Sequence, residues 1–218
     1  MKLSEIENAE LSFAICYIIG LIYPLTKEKD YGNHKYIIGS INHNVDMITD
    51  EELAAHFHTI LNLFQNENID TDCLKNNKSR DYGFSISAKK GFSVVIDATG
   101  YTSIKIQEVL TGKVRKIKES ANEYKKEFAK GCFDGRASWD TTAKYFSVDV
   151  DRNHPKQDLI ESIFNDLDIE LNKNQRAIDH PKNDQLRIKP TSIEKYFDEI
   201  GTYSLARRKI LENGIKTL

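Results

Sequence analysis

The sequence predicts an α+β protein made of two diverged copies of one unit: helix, two strands, helix, two strands, helix. Three observations predict it. An apolar stretch closed by a proline, Phe13 to Tyr23 before Pro24, heads the first half, and Tyr124, Phe128, Cys132 and Phe133 keep helical spacing at the head of the second. Strand-like and amphipathic segments then follow each head in the same order. Finally, residues of the two halves pair at falling offsets: Gly20 with Gly131 at 111, Ile60, Phe64 and Ile69 with Ile160, Phe164 and Ile169 at 100, and Thr102-Ser103-Ile104 with Thr191-Ser192-Ile193 at 89. A repeat near half the chain length, with loops that shorten in the second copy, marks an internal duplication.

Taken in order, Phe13 to Tyr23 is apolar on every side and suits a helix buried all round, stopped by Pro24. A turn at Gly32 and Asn33 leads to the β-branched strand Tyr36 to Ile41. Thr49 with Glu52 forms a capping box ahead of a helix whose Leu53, Phe57, Ile60, Leu61 and Phe64 share a face. Tyr82 to Ser87 and Phe92 to Asp97 read as strands around a Lys89-Lys90-Gly91 turn, with Gly100 and a short helix to Leu110 after them. Residues 111–119, with Lys113, Arg115, Lys116 and Lys118, read as a basic linker between repeats spanning 1–110 and 120–218. In the second repeat a helix ends near Gly135 and Tyr145 to Asp151 alternates as a strand. Asn153 and Pro155 start a helix, Gln185 to Lys189 is a strand, and Thr191 opens a last short helix.

Composition narrows the function classes. At 218 residues, with 39% hydrophobic and 29% charged side chains, the chain can bury its own core and is expected to be a soluble, cytoplasmic monomer with internal pseudo-symmetry, with or without a partner subunit. The Phe13 to Tyr23 run is too short to span a bilayer and lacks signal-peptide flanks, so no membrane partner is expected. Cys16, Cys73 and Cys132 have no CxxC spacing and read as core thiols, while His56 and His58 diverge on one helix. Gly112-Lys113 lacks the remainder of a phosphate loop, and no hydrolase elbow is present. A net charge of −2 means that any nucleic-acid contact must be local.

Ala129-Lys130-Gly131-Cys132-Phe133-Asp134-Gly135-Arg136-Ala137 and, more loosely, Ile18-Ile19-Gly20-Leu21-Ile22-Tyr23-Pro24-Leu25-Thr26 carry a central glycine within a helix that heads each repeat. In these nonapeptides and in element order the chain resembles the LAGLIDADG homing endonucleases of the single-chain, two-repeat form. The resemblance implies two pseudo-twofold-related αββαββα repeats whose mixed or antiparallel sheets form a saddle, with the motif helices packed at the axis. Helices that cross closely need small residues, and Gly20 and Gly131 fall where that contact is expected. The resemblance also implies double-stranded DNA as partner, with RNA as the alternative, and a site-specific endonuclease that uses Mg²⁺ or another divalent metal. Its rival is a non-catalytic reader: a transcription regulator, a target-recognition subunit or a splicing maturase.

In that family the penultimate motif residue is a metal-binding acid, and here those positions hold Leu25 and Arg136. Leucine offers no oxygen, and arginine puts a fixed cation where the metal belongs. Asp134, Asp149 and Asp151 are the acids able to substitute as catalytic and metal ligands; alternatively Asp134 caps a helix, and Asp149 and Asp151 face solvent or pair with Arg152. For DNA, Gln185, Arg187 and Lys189 alternate with Leu186 and Ile188, and arginine and glutamine are side chains that bond base edges in pairs. Ser85, Ser87, Ser40 and Asn42 repeat that polar alternation. Arg136, Lys113, Arg115 and Lys116 complete the expected DNA contacts, with Lys89, Lys90, Arg207, Arg208 and Lys209 as flanking phosphate grips.

Overall fold

The computed structural model describes residues 1–42, 49–67, 69, 74–76, 91–140, 142, 144–177 and 179–216. The first repeat runs α2 (Phe13–Ile22), β1 (Glu28–Tyr31), β2 (His34–Asn42), α3 (Asp50–Asn66), β3 (Leu74–Asn76), β4 (Gly91–Asp97) and α4 (Ser103–Lys118), preceded by a short α1 (Leu3–Asn8). The second runs α5 (Asn122–Arg136), β5 (Ser138–Asp140), β6 (Tyr145–Val150), α6 (His154–Asp166), β7 (Leu171–Asn174), β8 (Asp184–Ile188) and α7 (Pro190–Glu199), followed by α8 (Leu205–Ile215). Both sheets are four-stranded and antiparallel with one topology, β1-β2-β4-β3 and β5-β6-β8-β7. The αββαββα duplication therefore holds in full.

Local chemistry explains the main elements. Ser12 caps α2 through the Ile15 N–H, and Thr49 and Glu52 close the expected capping box on α3. Asn153 accepts from the Lys156 N–H at the start of α6, with Pro155 in its first turn. Equivalent positions keep equivalent bonds: the Ile69 N–H donates to the Phe64 carbonyl at 2.8 Å, and the Ile169 N–H to the Phe164 carbonyl at 3.0 Å.

The core is continuous across the repeats because α2 and α5 cross at its centre. Every residue of α2 from Ala14 to Ile22 is buried. Gly20 and Gly131 meet in this crossing: a Cβ on Gly20 would run into the Phe128 carbonyl, and one on Gly131 would run into the Tyr17 carbonyl and lie 3.1 Å from Gly20 Cα. Packing at such a distance is backbone against backbone, which only glycine permits. Cys16 and Cys132 lie within the same packing as free thiols, and burial pushes the Cys16 thiol up to about 12.

Three expectations need correction. Residues 111–118 are not a linker but the second half of α4, in which Val114 and Ile117 continue the buried stripe of Ile106, Val109 and Leu110. Lysines masked that stripe because their stems follow apolar surface while the ammonium reaches out: buried Lys113 donates to the Ala9 carbonyl, and Lys118 to the Ser162 carbonyl at 3.0 Å. Second, Thr102-Ser103-Ile104 and Thr191-Ser192-Ile193 are not equivalent in environment, since Ile104 is 75% exposed and Ile193 is fully buried. Thr102 is the cap of α4 whereas α7 is capped by Lys189, so the two isoleucines stand two helical positions apart and point opposite ways. Third, the last strand begins at Asp184 and ends at Ile188, leaving Lys189 as the cap of α7. The expected strand Tyr82 to Ser87, its Lys89-Lys90 turn and Cys73 lie outside the described residues. Among the described residues no helix is long and apolar enough to cross a membrane.

Candidate nucleic-acid interface

Among the described residues of each sheet, buried apolar side chains alternate with mostly polar ones, so that one face fills the core and the other is the open face. In the second sheet Phe146, Val148, Val150, Leu186 and Ile188 fill the core, so alternation places Tyr145, Ser147, Asp149, Gln185 and Arg187 on the open face. Register sets Ser138, Ser147, Arg187 and Asn172 in one row and Asp149, Gln185 and Asn174 in the next.

These side chains hold one another in place. The Arg187 guanidinium lies 5.2 Å from the Tyr145 ring centre and donates to Gln185 Oε1 at 3.1 Å. Asn174 donates to the same oxygen at 3.4 Å, and Gln185 Nε2 donates to Asp149 Oδ1 at 3.2 Å. The ring contact holds the guanidinium and the chain of bonds holds the amide, and the one bond to Gln185 uses only one of the five N–H donors of Arg187. Two residues of the types that bond guanine and adenine edges in pairs are thus preset on a rigid antiparallel strand. Lys189, just beyond that strand, pairs with Glu170.

The remaining expected DNA contacts divide. Arg115 and Lys116 are exposed on α4, a helix packed against α1, α2, α5 and α6 rather than part of the sheet face, and Lys113 is buried beside α1. Arg136 ends α5, and its side chain is outside the described set. At the C-terminus Lys209 pairs with Glu52, so that cation ties α8 to α3.

The three acids are not brought together. Asp134 is fully buried between the repeats, where its carboxylate accepts from the Tyr17 hydroxyl at 3.0 Å, the Tyr203 N–H at 2.9 Å and the Thr202 hydroxyl. Loss of water raises its pKa to about 6 against these donors, which pull the other way. Asp149 is engaged by Gln185 on the open face. Asp151 lies past the end of β6, where its N–H donates to the Pro24 carbonyl at 2.8 Å and its carboxylate is held by Lys156. Strand alternation suggested a shared face for Asp149 and Asp151, but the ladder stops at Val150 and the chain turns toward the first motif.

Lys156 carries no obvious sequence signal, yet it occupies the end of that motif. Its side chain is 3% exposed and donates to Thr26 Oγ1 at 3.1 Å and Gln107 Oε1 at 3.4 Å, with its ammonium 4.7 Å from the Tyr23 ring centre. Burial lowers its pKa, and Asp151 opposes that fall by favouring the charged form. A fixed ammonium, not an array of free oxygens, therefore meets Asp151 beside Leu25. Among the described residues no cluster of three or more histidine, cysteine or acidic side chains is placed to hold a metal. The donor set does not fit a divalent cation, which needs several oxygen ligands.

Asp134 gives a testable pH effect. Its folded pKa of about 6 exceeds the ordinary 3.8, so the folded state holds its proton more tightly. That contribution to stability is complete below the unfolded value and is lost as pH rises through the folded one. Asp134→Asn should flatten this fall in urea unfolding measured from pH 4 to pH 7; an unchanged slope would assign the fall to another group.

No protein-family model matches the chain, and no curated protein matches it by sequence. Solved structures do match. I-DmoI in complex with DNA and Ca aligns over 98% of this chain and 100% of that one, with a TM-score of 0.53 at 14% identity. The N-terminal LAGLIDADG domain of DUF199/WhiA aligns over 91% of this chain and 87% of that one, with a TM-score of 0.54 at 14% identity. Full-length DUF199/WhiA from Thermatoga maritima aligns over 99% of this chain and 64% of that one, with a TM-score of 0.51 at 12% identity. The two repeats, the crossing glycine helices and the paired antiparallel sheets are thus the LAGLIDADG homing endonuclease fold.

Proposed function

We propose that this chain binds double-stranded DNA through the open faces of its two sheets and reads sequence without cutting it. The observation that carries the proposal is the Tyr145-Arg187-Gln185-Asp149 array, in which base-reading side chains are preset on the uncovered face of the second sheet. The fold supports it, since I-DmoI of the same architecture was solved with DNA.

Metal-dependent cleavage is the alternative activity of such a DNA-bound fold. I-DmoI was solved with Mn or Ca, which makes divalent metal the ion to test here. The chain's own residues favour the reader: Leu25 and Arg136 replace the expected acids, Asp134 is enclosed by donors, and Asp151 is neutralised by Lys156.

Fluorescence anisotropy on a labelled random-sequence duplex at low salt tests binding. Affinity is expected to be unchanged when EDTA replaces Mg²⁺, because the contacts are side-chain donors rather than a bridging metal. It should fall with salt along a shallow slope, as befits few phosphate contacts. Loss of binding in EDTA would overturn the metal-free reading, and no binding at low salt would overturn DNA recognition itself.

A further inference from the structure

The open face of the first sheet differs in chemistry from that of the second. β1 and β2 form a hairpin through Gly32, whose φ of +61 suits the tight turn, and Asn33. Register sets Tyr31 opposite His34 and Lys29 opposite Tyr36. Ile37 and Ile41 are fully buried, so alternation puts His34, Tyr36 and Ile38 on the open face together with Lys29 and Tyr31.

Three rings gather there. His34 stacks on Tyr36 with centroids 6.1 Å apart, and Tyr31 lies 6.0 Å from Tyr36 at a tilt of 57°. Tyr31 is 57% exposed, so this group contributes little to the core. The hairpin acids point the other way: Glu28 and Asp30 share the opposite face with Lys35 and pair with it. Cationic Lys29 therefore stands beside the rings, with Lys27 next along the strand opposite Ile38. Asp97, opposite Tyr36 on β4, accepts from the Thr99 N–H at 2.9 Å, and the Thr99 hydrogen bonds hold its carboxyl below the usual range and charged, so the positive charge beside the rings is that of the outer strand.

We propose that this hairpin is a stacking platform for unpaired DNA bases adjoining the bound duplex, an inference that rests on the DNA-binding reading and extends it. Paired bases inside a duplex present only their edges, whereas an unpaired base offers a free face to an aromatic ring whatever its identity. Lys29 supplies the positive charge that a strand backbone needs beside such rings. The two half-surfaces then divide the contacts: the second sheet hydrogen-bonds base edges, and the outer end of the first stacks on exposed base faces.

The test compares a blunt duplex with the same duplex carrying short single-stranded tails that contain 2-aminopurine, whose fluorescence is quenched on stacking. The tailed duplex should bind about fivefold more tightly or better, with quenching, as expected when one or more bases stack. Tyr31→Ala with Tyr36→Ala should abolish the advantage of the tailed over the blunt duplex and the quenching, the two duplexes being compared within each variant, and Tyr31→Phe with Tyr36→Phe should keep both. Equal affinity for tailed and blunt duplexes, or an advantage that survives the double alanine variant, would overturn the platform and leave duplex reading intact. Binding of tailed but not blunt duplex would overturn duplex reading and leave the platform, and binding of neither would overturn both.

Discussion

Gly131→Ala is expected to destabilise the protein by about 3 kcal/mol, at the upper end for overpacking, because the atoms in the way are backbone. The added methyl would run into the Tyr17 carbonyl and lie 3.0 Å from the Leu21 nitrogen. Neither can swing aside as a side-chain tip would, since both belong to a helix buried from Ala14 to Ile22. Gly20→Ala meets the Phe128 carbonyl and the Cys132 nitrogen in the same manner. Relief in either variant means separating α2 from α5, which loosens both repeats at once. Both substitutions demand the same separation, so the double variant should cost less than the two singles combined. Gly112→Ala is the matched control: nothing lies within 4 Å of its added methyl, and an exposed helical position should gain up to about 1 kcal/mol. Urea unfolding followed by circular dichroism measures all four variants; a Gly131→Ala midpoint equal to the parent's would refute the backbone-to-backbone crossing.

The second large effect is on binding. Arg187→Ala should lower affinity for a selected duplex by roughly fivefold to 150-fold, the range for losing about 1–3 kcal/mol of base discrimination. Its guanidinium is stacked on Tyr145 and bonded to Gln185, so the loss also frees the amide that it orients. Arg187→Lys should not restore affinity, because an ammonium has neither the planar fork nor the stacking face. Gln185→Ala and Arg187→Ala should combine less than additively, as expected of neighbours in one network. Salt dependence separates roles: removing a base contact leaves the slope intact, whereas removing a phosphate contact lowers it by about one unit.

What the sequence disclosed follows from where burial imposes a pattern. The buried motif helix, the Thr49 capping box, and the alternation of Phe146, Val148 and Val150 are all legible because one side of each element must be apolar or capped. The four short strands β1, β3, β5 and β7 are not, since edge strands of three or four residues such as Glu28–Tyr31 and Ser138–Asp140 carry mostly polar side chains. Residues 111–118 misled because long basic stems hide an apolar stripe. In the site, Arg187 and Gln185 were visible by alternation, and the structure adds the partners that orient them. Asp134 misled for another reason: an acid in a motif looks like a ligand, and nothing near it in the chain announces that Tyr17 and Thr202 will close around it. Lys156 was invisible because its partners Asp151, Thr26 and Gln107 are assembled only by the fold.

Selection from a randomised duplex library at low salt, with and without Mg²⁺ or Mn²⁺, with sequencing of both bound and cut molecules, separates reading from cutting. The parent protein should enrich a sequence, Arg187→Ala should weaken that enrichment, and no cut product should form under either condition. Absence of enrichment would contradict DNA reading, and metal-dependent cutting at a defined site would contradict the assignment of Asp134, Asp149 and Asp151 to structural partners.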